Sequence, residues 1–392
     1  MISLLHEARS VGPAMHALII GVGGYPYLPG GERADPRHRL AFDGMGQLTS
    51  PPRSALAFAR RLIDGGTSIG NLPLGTVDLL MSCAAGDTVP HRPDPAPREA
   101  TIDNIRDAFE GWLERCAADP DNAAVLYFCG HGLQSDAQLL LAADFNRHGA
   151  TPFAQAIDFD ETRLALQQRG PRTQVFVIDA CRTDCFDLRP AGVQPLASPD
   201  LFAYGVCENE LTLRMPAFSE AWGRRDDVSH LTGALLRALD GQAATTDESG
   251  RWVVSMAGIR RSIDLLLMEE MNVASLHRGV EANNLGDAVI CVLDRAPSAR
   301  LTVSFRPAEP DLPVSLTCTP LHPDDLPAVD CGRARYVPRD ARGPAADEWR
   351  MTVRAGIYTL RAKSAAADVS RPHSVYPPHS RADFQESPCL PD

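Results

Sequence analysis

The chain has 392 residues, 44% hydrophobic and 22% charged, the composition of a globular protein with room for one sizeable core and a smaller second domain. A net charge of −12 argues against a nucleic-acid or anionic-membrane partner. No apolar run approaches the ~18 residues of a membrane span, and residues 1–9 lack a basic segment leading into an apolar one, so no membrane partner and a cytoplasmic location are expected. Ten cysteines follow no small-scaffold spacing, so reduced thiols are expected. Cys83, Cys116 and Cys291 read as small buried apolar side chains.

The first predicted strand is residues 16–22 (HALIIGV), stopped by Gly23 and Gly24. Gly21 to Gly24 lacks the full dinucleotide-loop pattern because position 26 is proline, and reads as a turn. After a Gly/Pro-rich loop, Pro51 and Pro52 open a helix with Leu56, Ala59 and Ile63 on its apolar stripe, since proline suits a first helical turn. A second strand spans 76–81, and a Pro- and charge-rich excursion covers 83–100. Thr101 then caps a helix in which Ile102, Ile105, Phe109, Trp112 and Cys116 keep helical spacing.

Residues 123–129 (AAVLYFC) and 174–180 (QVFVIDA) are short, apolar and without alternation, as in parallel strands buried on both faces. Between them lie a short strand at 139–142 and a helix at 160–169. A strand is expected at 201–206, a polar loop at 207–229, a helix capped by Ser229 carrying Leu231, Leu235, Ala238 and Leu239, and another helix from about 259 to 274. The alternation predicts an α/β fold with a mainly parallel sheet flanked by helices on both faces over residues 1–283. Strand-like runs between 284 and 363 predict a small all-β, sandwich-like domain. Residues 364–392, rich in Ala, Ser, Pro and His, read as a disordered tail.

Working residues in such sheets lie just past the carboxyl ends of the strands. The two apolar runs lead into Gly130-His131-Gly132 and Cys181-Arg182. If the strands are neighbours, ~4.8 Å apart, thiol and imidazole can meet, placing a nucleophile beside its base. A free thiol of pKa ~8.5 is little ionised at neutral pH. His131 can take its proton and later protonate a leaving amine. The amides of Gly132 and Cys181 are the candidate oxyanion donors. Asp144 is near in sequence, but nothing fixes it beside His131. A metal set of Cys129, His131, Cys181 and Cys185 is chemically conceivable, but matches no usual zinc spacing, and no metal is expected.

These residues resemble the caspase-like peptidases, including their bacterial and metacaspase branch: Gly130-His131-Gly132 after one apolar strand, and Asp179-Ala180-Cys181-Arg182 after the next. Cys181 follows His131 by 50 residues, close to the ~50 of caspases. The likeness covers residues 15–280, including the first strand (16–21), the first helix (48–62) and the helix at 231–239. It implies a cysteine endopeptidase acting on a protein or peptide substrate. Caspases carry Gln-Ala-Cys, whereas this chain has Asp179 at the first position, as metacaspases commonly do. The resemblance therefore implies an acidic pocket and cleavage after Arg or Lys. Thr183 stands where caspases have Gly. No cofactor is expected, and a calcium requirement, known among metacaspases, has no signature here. The resemblance further suggests self-processing, with Arg214, Arg224 and Arg225 in the 207–229 loop as targets, and a role in bacterial defence or regulated death. The alternative is a catalytically silent module that binds a regulatory protein through its β-domain.

Overall fold

The computed structural model describes residues 4–8, 12–38, 42, 44–65, 69–185, 190–200, 202–216, 227–276, 278–306, 314–321, 329–332, 334–337, 346–364 and 368–385. In chain order the elements are β1 (Leu4–Glu7), β2 (Met15–Val22), α1 (Ser50–Asp64), β3 (Leu74–Ser82), α2 (Ile102–Ala117), β4 (Ala123–Gly130), β5 (Gly132–Gln134), β6 (Gln138–Leu141), β7 (Ala156–Asp158), α3 (Phe159–Arg169), β8 (Thr173–Ala180), β9 (Thr183–Asp184), β10 (Asn209–Arg214) and α4 (His230–Arg237). Next come β11 (Ala244–Thr246), β12 (Trp252–Ser255), α5 (Met256–Met271), β13 (Glu281–Leu285) and β14 (Val289–Val292). The remainder is β15 (Ser298–Arg306), β16 (Ser315–Pro320), β17 (Arg335–Val337), β18 (Ala346–Arg354), β19 (Gly356–Lys363), β20 (Asp368–Val375) and β21 (His379–Gln385).

The main sheet has the order β1-β3-β2-β4-β8-β10-β13. Its five central strands are parallel, and the edge strands β1 and β13 run antiparallel to their neighbours. Every residue of β4 is buried, and all but the first of β8, because helices cover both faces. On one face α1 packs on β2, β3 and β4 and touches α4, with Phe58 stacked on Tyr127 at 4.8 Å. On the other, Ile105, Phe109 and Trp112 of α2 share a core with Leu18, Ile20, Leu126 and Phe128. The period of two along each strand divides neighbouring side chains between these layers. Thr101 caps α2 through the Asn104 amide at 3.4 Å, and Ser229 caps α4 through that of Thr232 at 3.3 Å. Ser255 caps α5, accepting from the Gly258 amide at 3.1 Å, so that helix begins earlier than its apolar spacing suggests. Among the described residues no helix is long and apolar enough to cross a membrane.

The strand expected at 201–206 is displaced. Phe202 and Tyr204 lie in a loop at 91% and 92% exposure, and β10 follows at 209–214. Its polar composition hid it: Glu210 is buried because Arg163 donates to it from Nε at 2.8 Å.

The chain divides into two compact units, 1–239 with 255–292, and 240–254 with 293–392. The boundary expected at 283/284 falls inside β13, which is hydrogen-bonded to β10. In the second unit, sheets β17-β18-β15-β21 and β16-β19-β20 share one core that includes Val303, Phe305, Leu316, Trp349, Tyr358, Leu360 and Phe384. The reading of 364–392 as a disordered tail is corrected over 368–385, which form β20 and β21. Both are edge strands, where Pro372 is tolerated and only one face needs apolar residues: Val375, Ala382 and Phe384 are buried. Deleting residues 364–392 is therefore expected to unfold the second unit. Hydrogen exchange should show loss of amide protection in β15 and β19, whereas removal of a disordered tail would leave it intact.

Candidate active site

The pairing of β4 with β8 sets the site. Cys129 lies opposite Asp179 and Gly130 opposite Ala180, and pairing resumes with Leu133 opposite Thr183. His131 and Cys181 thus occupy the same level between two paired registers, past the carboxyl ends of both strands. The two glycines answer to close approach. A Cβ at Gly132 would lie 2.4 Å from the Cys181 carbonyl oxygen, and one at Gly130 would lie 2.8 Å from the Tyr25 hydroxyl.

His131 is buried, and its Nε2 lies 2.7 Å from the Gly46 carbonyl oxygen. A carbonyl only accepts, so Nε2 carries the hydrogen and the lone pair of the neutral ring is on Nδ1. Burial lowers the imidazole pKa, against a smaller opposing effect of the Gly46 bond. The Tyr25 ring sits 4.8 Å from the imidazole. Its hydroxyl accepts from the His131 amide at 2.8 Å and donates to the Leu141 carbonyl at 3.4 Å. Gln47 clasps this loop: its Oε1 accepts from the Tyr25 amide at 2.8 Å, and its Nε2 donates to the Tyr25 carbonyl at 2.9 Å. Sequence reasoning missed Tyr25, Gly46 and Gln47, which lie in a loop without periodicity; a tyrosine just after a strand-ending Gly pair was the one available signal. Asp144 does not approach as an orienting acid. Its carboxylate accepts from the Ile102 amide at 2.8 Å, at the start of α2.

The Cys181 thiol donates to the Gly132 carbonyl at 3.0 Å. Burial raises its pKa, and bonds involving Gly132 and Thr183 oppose that rise. Both shifts favour the neutral form, of the thiol and of the imidazole, so forming the thiolate calls for a base. The next residue, Arg182, is buried and anchors the chain: its Nε donates to Gln134 Oε1 at 2.8 Å, and its Nη1 pairs with Glu281 at 2.6 Å. Arg214, expected in a polar loop, is instead the last residue of β10, paired with Asp160 at 2.8 Å and Glu281 at 3.0 Å. Arg224 and Arg225 lie outside the described residues.

Asp179 is buried against α4. It accepts from the hydroxyls of Ser229 and Thr232, the latter at 2.7 Å; Tyr127 and Thr232 share a hydroxyl hydrogen bond at 2.6 Å. Burial raises the carboxyl pKa, while the hydroxyl bonds lower it less. Among the described residues its hydrogen-bond partners include no cation. Cys129 belongs to this cluster, its buried thiol influenced by Asp179, Tyr127, Ser54 and Ser229, whereas the Cys185 thiol donates to the Gln134 carbonyl at 3.2 Å. The four residues weighed as a metal set thus have separate partners.

A family model described as the caspase domain matches residues 15–255. The chain belongs to the caspase-domain peptidase family. The matched segment includes β2 through β12 of the structure, and with them His131, Asp179 and Cys181; a caspase-domain chain is of the cysteine-peptidase kind. The uncharacterized protein y4kE of Sinorhizobium fredii is similar, 26% identical over 253 residues, spanning 61% of this chain and 72% of its own. A solved phospholipase, PlaB from Legionella pneumophila, aligns over 95% of this chain and 93% of its own at 8% identity, with a TM-score of 0.18, too low to carry any inference.

Tyr25→Phe removes the acceptor of the His131 amide inside the caspase domain. Because an unsatisfied buried donor costs about 1–3 kcal/mol, denaturant unfolding should show a loss in that range.

Proposed function

We propose that the chain is a cysteine endopeptidase in which Cys181 attacks the scissile carbonyl of a protein or peptide and His131 moves the proton. The bond from His131 Nε2 to the Gly46 carbonyl carries this reading. It leaves Nδ1 as the basic nitrogen on a ring held at the level of Cys181. Nδ1 takes the thiol proton as sulfur attacks, then returns it to the leaving amine. The amides of Gly132 and Cys181 stabilise the oxyanion, and water releases the acyl group from Cys181.

Asp179 supplies the preference for Arg or Lys before the cleaved bond. It is a buried carboxylate held by hydroxyls, with no cation among its described partners, and such a charge is stabilised strongly by an arriving guanidinium. Self-processing at Arg224 or Arg225 is consistent with that preference. A second reading, a catalytically silent interaction module, draws on the partial burial of Cys181 and its bond to the Gly132 carbonyl, where the thiol is the donor.

Fluorogenic peptides with Arg, Lys or Asp at the cleaved bond separate the two. The peptidase reading expects cleavage after Arg and Lys, none by Cys181→Ala, and a loss of roughly 10²–10⁴-fold in His131→Ala. No cleavage of any of the three by the wild type favours the silent module, and cleavage by Cys181→Ala overturns the role of that thiol. Asp179→Asn keeps an oxygen for Ser229 and Thr232 while removing the buried charge. It should cut Arg cleavage by on the order of 10²-fold without lowering the melting temperature.

The pH profile follows from His131. Only the neutral ring is a base, so kcat/KM should climb as pH rises through the imidazole pKa. Because burial lowers that pKa, the midpoint should fall below the ordinary ~6.5; a midpoint above it would contradict the assignment.

A further inference from the structure

The second unit holds a pair of thiols that the peptidase chemistry does not use. Cys318 lies in β16, an edge strand, with its side chain 5% exposed. Cys331 is half-buried. The two thiols are close enough for one to influence the ionisation of the other. Both line an open cleft of about 440 Å³, together with Thr317, Thr319, Val329 and Asp330, so a small solute has access to them. The described cysteines are free thiols, and among the described residues no group of three or more metal-ligating side chains forms. The pair alone falls short of the four ligands of a structural zinc site.

A single buried cysteine is adequately explained as an apolar filler. Two thiols in mutual contact differ, because when one ionises the other donates to it. Here Cys331 is the more exposed of the two, and the Cys318 thiol beside it favours its ionised form. A partly exposed, more acidic thiol with a second thiol poised beside it is the arrangement that oxidants act upon.

We propose that Cys318 and Cys331 form a dithiol that a peroxide converts into an intramolecular disulfide. The Cys331 thiolate attacks one peroxide oxygen and the O–O bond breaks. Hydroxide leaves and is protonated to water, and Cys331 becomes a sulfenic acid. The Cys318 sulfur then attacks the Cys331 sulfur: the S–S bond forms, the S–O bond breaks, and the departing hydroxide takes the Cys318 proton as a second water. The peroxide gains two electrons and the two thiols lose two. The product ties edge strand β16 to the segment at 329–332, within one unit.

The test treats the full chain with hydrogen peroxide, blocks remaining thiols with iodoacetamide, and maps the peptides by mass spectrometry. The expected product is a Cys318–Cys331 cross-linked peptide pair lacking two hydrogens, reversed by dithiothreitol. Cys318→Ser should stop the sequence at a Cys331 sulfenic acid that dimedone traps. Equal alkylation of both cysteines with and without peroxide overturns the proposal, as does a cross-link that consistently joins either one to a different cysteine. The wild-type map decides the matter even where the variant fails to fold, and it is independent of peptidase activity.

Discussion

Everything in the candidate site depends on the in-register parallel pairing of two strands buried on both faces. A slip of one residue between β4 and β8 would exchange the side chains facing α1 with those facing α2. Tyr127 would leave its stack on Phe58, and Leu126 and Phe128 would leave the core they share with Trp112. Burying such side chains is worth about 1.5–3 kcal/mol each, so the register is strongly held. Given Gly130 opposite Ala180, the backbone carries His131 and Cys181 to one level. Position here follows from hydrophobic packing several residues away.

The polar groups around the site extend that logic to charge. On the α4 side, Asp179 is met by hydroxyls that also serve the start of that helix, since Ser229 is its cap. Arg182 crosses to Gln134 and Glu281, so the residues on either side of the Ala180–Cys181 pair are each fastened. Breaking a buried charged contact of this kind is costly, which keeps the thiol-bearing turn from drifting. The imidazole is fixed just as firmly by Gly46, Tyr25 and, behind them, Gln47. Such rigidity suits the proton transfer proposed for the pair, which works only over hydrogen-bond distance.

Much of this was legible in the residues. Two non-alternating apolar runs announced β4 and β8, the strand-end rule singled out His131 and Cys181, and Thr101 and Ser229 marked helix starts. The partner of His131 escaped notice for a physical reason: it is the backbone carbonyl of Gly46, and every residue has a carbonyl. Asp144 drew attention because it is acidic and near in sequence, yet its carboxylate serves the Ile102 amide. β10 was misplaced because Glu210 and Arg214 look solvent-exposed until Arg163, Asp160 and Glu281 come to meet them. β20 and β21 read as a tail because edge strands of a sandwich need apolar residues on one face only.

The central claim is that Cys181 and His131 act as one reactive unit. Its most direct measurement is the alkylation rate of Cys181 by an arginyl chloromethylketone, located by mass spectrometry, in wild type and in His131→Ala. The account expects labelling at Cys181 in the wild type and a rate slower by roughly 10² or more without the imidazole. Equal rates in the two proteins, or a label on another cysteine, would contradict it.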